Sequence, residues 1–403
     1  MRDIIVVCQG IPFPPDTGGK IKTYHLITFL LGLHFRLTVI SVITAQGRQD
    51  VERGSEHLCG LGVTLWTVNC SRSVLSEVGA LARGVLRRES IMLARDNRQR
   101  VAKVIRRAIL GASDPVVWCV RPQMAQYLLD PGLAGVLRNQ GGLAVFDTEN
   151  VEAEVCRATA LCSKGLWKWL WDREATTIAK AEAAMTRAFD WTVTVSDEDL
   201  EQFRIWGARN TVVSRVGVSI PPRVLSTVGG SRPQRALFVA SFRWMPNIDG
   251  ALYLVREIWP KVVARLPKAE LHIVGAHPPR HVAREAAKSG AVLCGYVSNL
   301  DEAYAHAKVA LAPLRFGGGV RVKVIEALAY GLPVIGTPSA RLGLTVDLQP
   351  RVRVCTDADE FAAAIVEELT TGGPSADTRM WGERVQQLHH PAVALASLKR
   401  ILG

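Results

Sequence analysis

A chain of 403 residues has room for two domains, each with its own core, and at 48% hydrophobic and 21% charged it reads as globular rather than disordered or fibrous. No apolar run reaches the roughly 18 residues that a membrane-spanning helix requires. The eight cysteines are scattered without close pairs, which argues for reduced thiols, a cytoplasmic setting and no zinc site. The formal charge is +12, and residues 72–107 concentrate it, with ten Arg or Lys from Arg72 to Arg107 against Glu77, Glu89 and Asp96. An anionic membrane surface, an anionic acceptor or a solvated helical face each fits that excess. Nucleic acid is not expected, because the stretch has no interleaved aromatics and no recognisable binding module.

Taken in chain order, the first half alternates short apolar strands with helical stretches, the pattern of a parallel sheet. The N-terminus reads as a buried strand over Ile4–Cys8 rather than a leader peptide. Gly18-Gly19 follow it and precede a helix over Lys20–Leu33. Glycine there permits close backbone approach to a phosphate or sugar, or merely a tight turn. Lys20 and Lys22 fit anion contacts or a solvated surface. Leu37–Ile43, Val63–Val68, Val116–Val120, Leu143–Asp147 and Trp191–Ser196 are further strands. Phe146-Asp147-Thr148-Glu149-Asn150 sits at a strand end, where open α/β sheets place ligands; Asp147 or Thr148 also suits a helix N-cap. Leu166, Trp167, Trp169, Leu170 and Trp171 lie beside Lys164 and Lys168, and Trp167 and Trp171 share a helix face. That cluster suits core packing or a membrane interface. Ser196 and Asp199 cap a helix running to about Trp206, and Val212–Val218 is a last strand of this half.

Pro221-Pro222 and Ser226–Arg232, with Gly229-Gly230, read as a linker. A second alternating pattern runs from Leu237 to about Val354, and helices over Asp359–Leu369 and Pro391–Leu402 close the chain. His277 and His281 are spaced as a helical metal pair, but Pro278-Pro279 break that geometry, so no metal is assigned. The most informative stretch is Phe316–Gly336. Gly317, Gly318 and Gly319 lead into an apolar-periodic helix starting near Val322, which Gly331 and Pro333 end. A glycine loop feeding a helix N-terminus is an anion site. Arg321 and Lys323 oppose the helix dipole there, which suggests an expected anion such as a diphosphate. Glu326, a turn further in, can accept hydrogen bonds from two sugar hydroxyls. An ordinary loop–helix–strand unit with surface cations remains the alternative.

This stretch resembles the donor-site signature of retaining glycosyltransferases of family 4, the glycosyl transferases group 1. The resemblance extends to Leu237–Phe242 with Trp244–Asn247, to Leu271–Gly275, to Leu293–Val297, and to the N-terminal Pro12–Lys22, so it spans nearly the whole chain in order. It implies an α/β chain of GT-B architecture, two Rossmann-like domains facing a central cleft. Residues 1–221 would form the acceptor-side domain, 222–232 the linker, 233–385 the donor-binding domain, and 386–403 a helix crossing back. The implied activity is transfer of a sugar from a nucleotide diphosphate-sugar to a hydroxyl acceptor, with retention and without a divalent metal. Arg321, Lys323 and Glu149 would be catalytic. Gly18, Gly19, Tyr296, Val297, Gly318, Gly319, Val320 and Glu326 would bind the donor, with main chain near Tyr296 and Val297 against the base. The acceptor would be a glycan, lipid-linked or small molecule, anionic in one reading, and the enzyme cytoplasmic or peripheral at the inner membrane face.

The chain departs from the family pattern at three places. Glu149 stands where relatives often carry His, Gly318 stands where many carry the first of two glutamates, and Ala240-Ser241 replace Gly-Arg. Arg243 is a compensating candidate for the last. Glu149 in place of His keeps open a catalytically silent subunit that supports a partner enzyme, whereas the Gly-Gly-Gly/Arg-x-Lys form is a familiar variant in the family and implies no loss of activity. A nucleotide-sugar 2-epimerase is the other alternative, although no convincing acid/base set stands out for it.

Overall fold

The computed structural model describes residues 2–44, 47–70, 74–218, 233–297 and 299–403. The linker expected over 222–232, and Arg72 at the head of the basic stretch, lie outside them. The chain divides into two compact units, Met1–Gly217 with Ala394–Gly403, and Val218–Val393. Each is a parallel sheet flanked by helices, so the α/β reading holds for both.

In the first unit the strands are β1 (Asp3–Gln9), β2 (Arg36–Ile43), β3 (Thr64–Asn69), β4 (Val116–Val120), β5 (Leu143–Asp147), β6 (Trp191–Thr194) and β7 (Asn210–Val213), in the order β3-β2-β1-β4-β5-β6-β7. Every pairing is parallel. Residues Ile4–Val7 are wholly buried, as expected where helices cover both faces. The pleat sends alternate side chains to opposite cores. Ile5 and Val7 join one with Val101, Ile105 and Ile178, while Ile4, Val6 and Cys8 join another with Leu26, Leu30 and Leu398. No disulfide joins the cysteines.

The helix after β1 is α1 (Gly18–Gly32), and the Thr17 side chain accepts its cap bond from the Lys20 N–H. Gly18 and Gly19 are therefore the first helical residues, two residues earlier than the periodicity suggests. Lys22, offered above as a surface cation, is buried. Its Nζ pairs with Asp147 and donates to the Thr148 carbonyl at 2.6 Å, while Trp118 Nε1 donates to the other Asp147 oxygen at 2.8 Å. Burial pushes the Asp147 carboxyl up, and Lys22 and Trp118 pull it back. Asp147 and Thr148 are thus not helix caps. Thr148 Oγ1 donates to the Val193 carbonyl at 3.1 Å, and Val151 caps the next helix.

The second unit contains β8 (Arg235–Val239), β9 (Glu270–Val274), β10 (Val292–Gly295), β11 (Val309–Ala312), β12 (Val334–Gly336) and β13 (Val352–Val354), in the order β10-β9-β8-β11-β12-β13 and all parallel. Alternation again feeds two cores, Ala236 and Phe238 to one, Leu237 to the other. Residues 386–393, expected in the returning helix, stay with this unit. Val385 and His389 are buried in it, and the Val218 N–H donates to the His389 carbonyl at 2.7 Å. The return begins at Ala394, where Leu395, Leu398, Ile401 and Leu402 enter the core of the first unit.

In both sheets the strand order reverses once, between β1 and β4 and between β8 and β11. Open α/β sheets bind ligands beyond the strand ends at such a switch. The Gly18-Gly19 turn and the Gly317–Gly319 loop follow strands at these two places.

Removing one partner of a buried ion pair strands the other charge, at a cost of about 3–5 kcal/mol. Lys22→Met should lower the stability of the first unit by that order in urea unfolding, and Lys22→Met with Asp147→Asn should recover part of it. A single variant as stable as the wild type would show that the pair has no structural role.

Candidate functional site

In the second unit, Arg321 is the N-cap of the Val322–Ala329 helix and is almost fully buried. Its guanidinium donates from Nε to the Ser339 carbonyl at 3.0 Å, from Nη1 to Gly318 at 2.8 Å, and from Nη2 to Gly317 at 2.7 Å. The Trp244 ring lies 5.2 Å from the guanidinium carbon. The side chain is therefore turned into the loop, not out toward a ligand, because burying five donors requires acceptors and the loop carbonyls are the nearest. Burial lowers its pKa to about 10.

This geometry has a direct consequence. A trans peptide holds its C=O and N–H in opposite directions. With the Gly317 and Gly318 carbonyls aimed at Arg321, the N–H groups of Gly318 and Gly319 point away from it. Among the described residues those two N–H groups have no protein acceptor. Gly317 and Gly319 have φ of 109° and 74°, which favour glycine. A Cβ on Gly317 would also lie 2.8 Å from the Trp244 ring. Val320, which follows, is packed against Gly343, whose own φ is positive.

Lys323 is half-buried on the first turn of the same helix. Its Nζ donates to Asn247 Oδ1 at 2.5 Å and lies 4.5 Å from the centre of the Phe238 ring. Asn247 Nδ2 donates in turn to the Ser241 carbonyl at 2.8 Å, which ties Lys323 to the turn after β8. Burial and the Arg321 charge depress the Lys323 pKa to about 7, against the pull of Glu326. Glu326, one turn on, accepts from the Tyr304 hydroxyl at 3.1 Å. Burial raises its pKa to about 7, opposed by Tyr304 and Lys323. Tyr304 stacks on Tyr330, with centroids 4.5 Å apart. Lys323 and Tyr304 also line a small pocket with Leu237, Val239 and Ala312. Arg243, after β8, is exposed. Tyr296 is exposed and Val297 partly buried just beyond β10, with Val297 packed on the core that holds Tyr304. The structure therefore groups Gly318, Gly319, Lys323 and Glu326 around one helix start, and moves Arg321 behind it.

In the first unit, Glu149 beyond β5 pairs with Arg121 beyond β4. Its carboxylate also lies against α1, since a Cβ on Gly19 would meet Glu149 Oε1 at 2.5 Å. Arg121 has φ of 73°, and its N–H donates to the Asp147 carbonyl at 2.8 Å. The Glu149 charge holds the Arg121 pKa above its ordinary value. Gly19, Arg121 and Glu149 are thus neighbours at the reversal of strand order. Sequence reading missed Arg121, Asn247 and Tyr304. The available signal for Arg121 was its place directly after a buried strand and before Pro122.

Two parallel-sheet units of Rossmann type, each with a glycine turn at its switch, define a GT-B protein. Solved structures share this fold. Anabaena HepE in complex with UDP and glucose matches with a TM-score of 0.66 at 12% identity, covering 100% of this chain and 99% of that one. The pneumococcal O-GlcNAc transferase GtfA with UDP and GlcNAc matches at 0.64 and 11%, covering 100% and 98%. S. aureus TarM, in a mutant complex with Fondaparinux, alpha-GlcNAc-glycerol and UDP, matches at 0.67 and 7%, covering 100% of both. Residues 233–371, within the second unit, match the family model of glycosyl transferases group 1. No curated protein sequence matches the chain.

Arg321→Ala removes three hydrogen bonds from a charged donor, a loss on the order of 3 kcal/mol or more. The melting temperature of the ligand-free protein should fall clearly, and Arg321→Lys should restore little because an ammonium cannot span the three carbonyls. An unchanged melting temperature in Arg321→Ala would place the guanidinium in ligand contact alone.

Proposed function

We propose that the protein transfers a sugar from a nucleotide diphosphate-sugar to a hydroxyl acceptor, with retention at the anomeric carbon and without a divalent metal. The observation that carries this reading is that the Gly318 and Gly319 N–H groups point away from Arg321, beside Lys323 and the helix start. Such donors favour negative charge as it develops on a leaving diphosphate. Lys323 supplies the mobile cation, exchanging Asn247 for a phosphate oxygen, and so takes the part that a metal plays in other transferases. Arg321 aims the amides and adds its charge from behind. Glu326, steadied by Tyr304, accepts from the ribose hydroxyls, and main chain at Tyr296 and Val297 meets the base. Gly18, Gly19, Val320 and Glu149 are assigned to the sugar hydroxyls and the close backbone approach they require. UDP in the three structures named above supports a uridine nucleotide as the first donor to try.

A second reading is a catalytically silent subunit. It is favoured by Glu149, which stands in the usual His position and is engaged by Arg121. Release of nucleoside diphosphate from UDP-sugars, followed with and without candidate acceptors and in the presence of EDTA, separates the two. Turnover that persists in EDTA supports the metal-free transferase. Tight UDP binding without any turnover supports the silent subunit, and no binding of any nucleotide sugar removes both.

Lys323 also makes a pH signature. In the ligand-free protein it is about half protonated near pH 7. A diphosphate favours the cation and raises that pKa, so affinity should be highest below about pH 7 and fall as pH rises beyond it. Calorimetry of UDP binding slightly above neutrality, in two buffers of different ionisation enthalpy, should show proton uptake. Lys323→Met should abolish the uptake and weaken binding by roughly ten- to a hundredfold. Equal apparent enthalpies in both buffers for the wild type would count against the assignment.

Glu326→Gln should weaken UDP more than pyrophosphate, because only UDP carries the ribose. Equal losses for the two ligands would make Glu326 a structural partner of Tyr304.

A further inference from the structure

Two helices of the first unit, Glu152–Leu161 and Gly165–Ala188, form a hairpin whose tip stands outside the core. Leu161 is 80% exposed, Leu166 76%, Trp167 66% and Trp169 54%, and Lys164, Gly165 and Lys168 between them are exposed too. Trp171, one turn on, packs against the core, so the tryptophans expected to share a face divide at that point. The turn at the tip is closed by local hydrogen bonds. The Cys162 and Ser163 N–H groups donate to Thr159 and Ala160, and Ser163 Oγ donates to Thr159 at 2.8 Å. A helical tip with apolar side chains open to water is a binding element, not a folding one.

The chemistry of the tip selects its partner. From Val155 to Trp171 there is no Asp or Glu, while Arg157, Lys164 and Lys168 are cationic; Glu154 and Asp172, just outside that span, pair with Arg157 and, at 2.9 Å, with Lys168 in exposed contacts that a lipid phosphate can replace. A symmetric contact with a second copy would bring like charges together. Tryptophan rings beside lysine stems suit the headgroup level of a bilayer, where the ring is half-immersed and the ammonium reaches the phosphates. A second basic edge is attached here. Arg173 donates to the Gly84 carbonyl, and to that of Glu89 at 3.0 Å, fastening the end of the Val74–Arg87 helix to the hairpin. That end carries Leu86, 82% exposed, with Arg87 and Arg88. Among the described residues no helix is long and apolar enough to cross a membrane, so attachment through the tip would be peripheral.

We propose that the 161–169 hairpin tip docks this protein on an anionic bilayer, with Leu166, Trp167 and Trp169 entering the headgroup region and Lys164 and Lys168 meeting lipid phosphates. The inference stands independently of the sugar-transfer reading. Flotation of the full chain with phosphatidylcholine vesicles, with and without phosphatidylglycerol, at low and high salt, tests it. Binding should require phosphatidylglycerol and weaken with salt. Trp167→Ser with Trp169→Ser should reduce it about tenfold or more, and each of Lys164→Ser and Lys168→Ser about fivefold. Val346→Ser with Met380→Ser, which remove exposed apolar groups of the second unit, should leave it unchanged. Quenching of wild-type tryptophan fluorescence by brominated phosphatidylcholine in the anionic vesicles gives the same information without a substitution. Absence of flotation at low salt, or flotation indifferent to the tryptophan pair, overturns the proposal. A concentration-dependent dimer lost in the tryptophan variant, without flotation, also overturns it and assigns the tip to self-association.

Discussion

The buried guanidinium of Arg321 is the constraint around which the second unit's loop is arranged. A guanidinium that is charged at neutral pH and placed out of water must find acceptors. It finds them in the carbonyls of Gly317, Gly318 and Ser339. Because a peptide's two polar groups oppose each other, satisfying the arginine orients the amides. The glycines are then needed for a specific reason. Gly317 and Gly319 adopt positive φ, and Gly317 leaves no room for a Cβ beside Trp244. One buried cation thus turns a flexible tripeptide into a fixed row of donors at a helix start.

Lys323 plays the complementary part. It is bound to Asn247 and rests on Phe238, yet remains half-buried, so its contacts are exchangeable. Burial and the neighbouring Arg321 hold it near the point where its proton is loosely kept, and Glu326 is raised toward the same range by its own burial. Burial thus lowers the cation and raises the carboxyl, so an arriving anion or diol acts on both. That sensitivity belongs to the placement of the pair, since neither residue type titrates near neutrality in water.

The first unit solves the same topological problem with different chemistry. At its reversal of strand order, Lys22 is spent on Asp147, and Arg121 on Glu149. Both of these cations are consumed by internal carboxylates. What remains at the start of α1 is the Gly18-Gly19 backbone, with the Glu149 carboxylate against it. Such a surface suits hydroxyl groups better than phosphates.

The sequence by itself determined the architecture. Alternation of buried strands with helices, the glycine turns after β1 and β11, and the helix from Val322 to Ala329 all follow from local rules of periodicity, capping and chain reversal. The residue types at the candidate site were legible too, but the local pattern fitted an anion loop and an ordinary loop–helix–strand unit with surface cations alike. Only the tertiary structure decided where each charge points. Arg321 and Lys323 are two positions apart on one helix start, and no local rule says that the first turns inward and the second stays at the edge. Lys22 is buried by Asp147, 125 positions along the chain. Trp167 is exposed while Trp171 is packed, because the hairpin outruns the core that covers its lower turns. Burial of a charge and exposure of an aromatic depend on which distant segments arrive beside them, and that information lies in the packing, not in the local sequence.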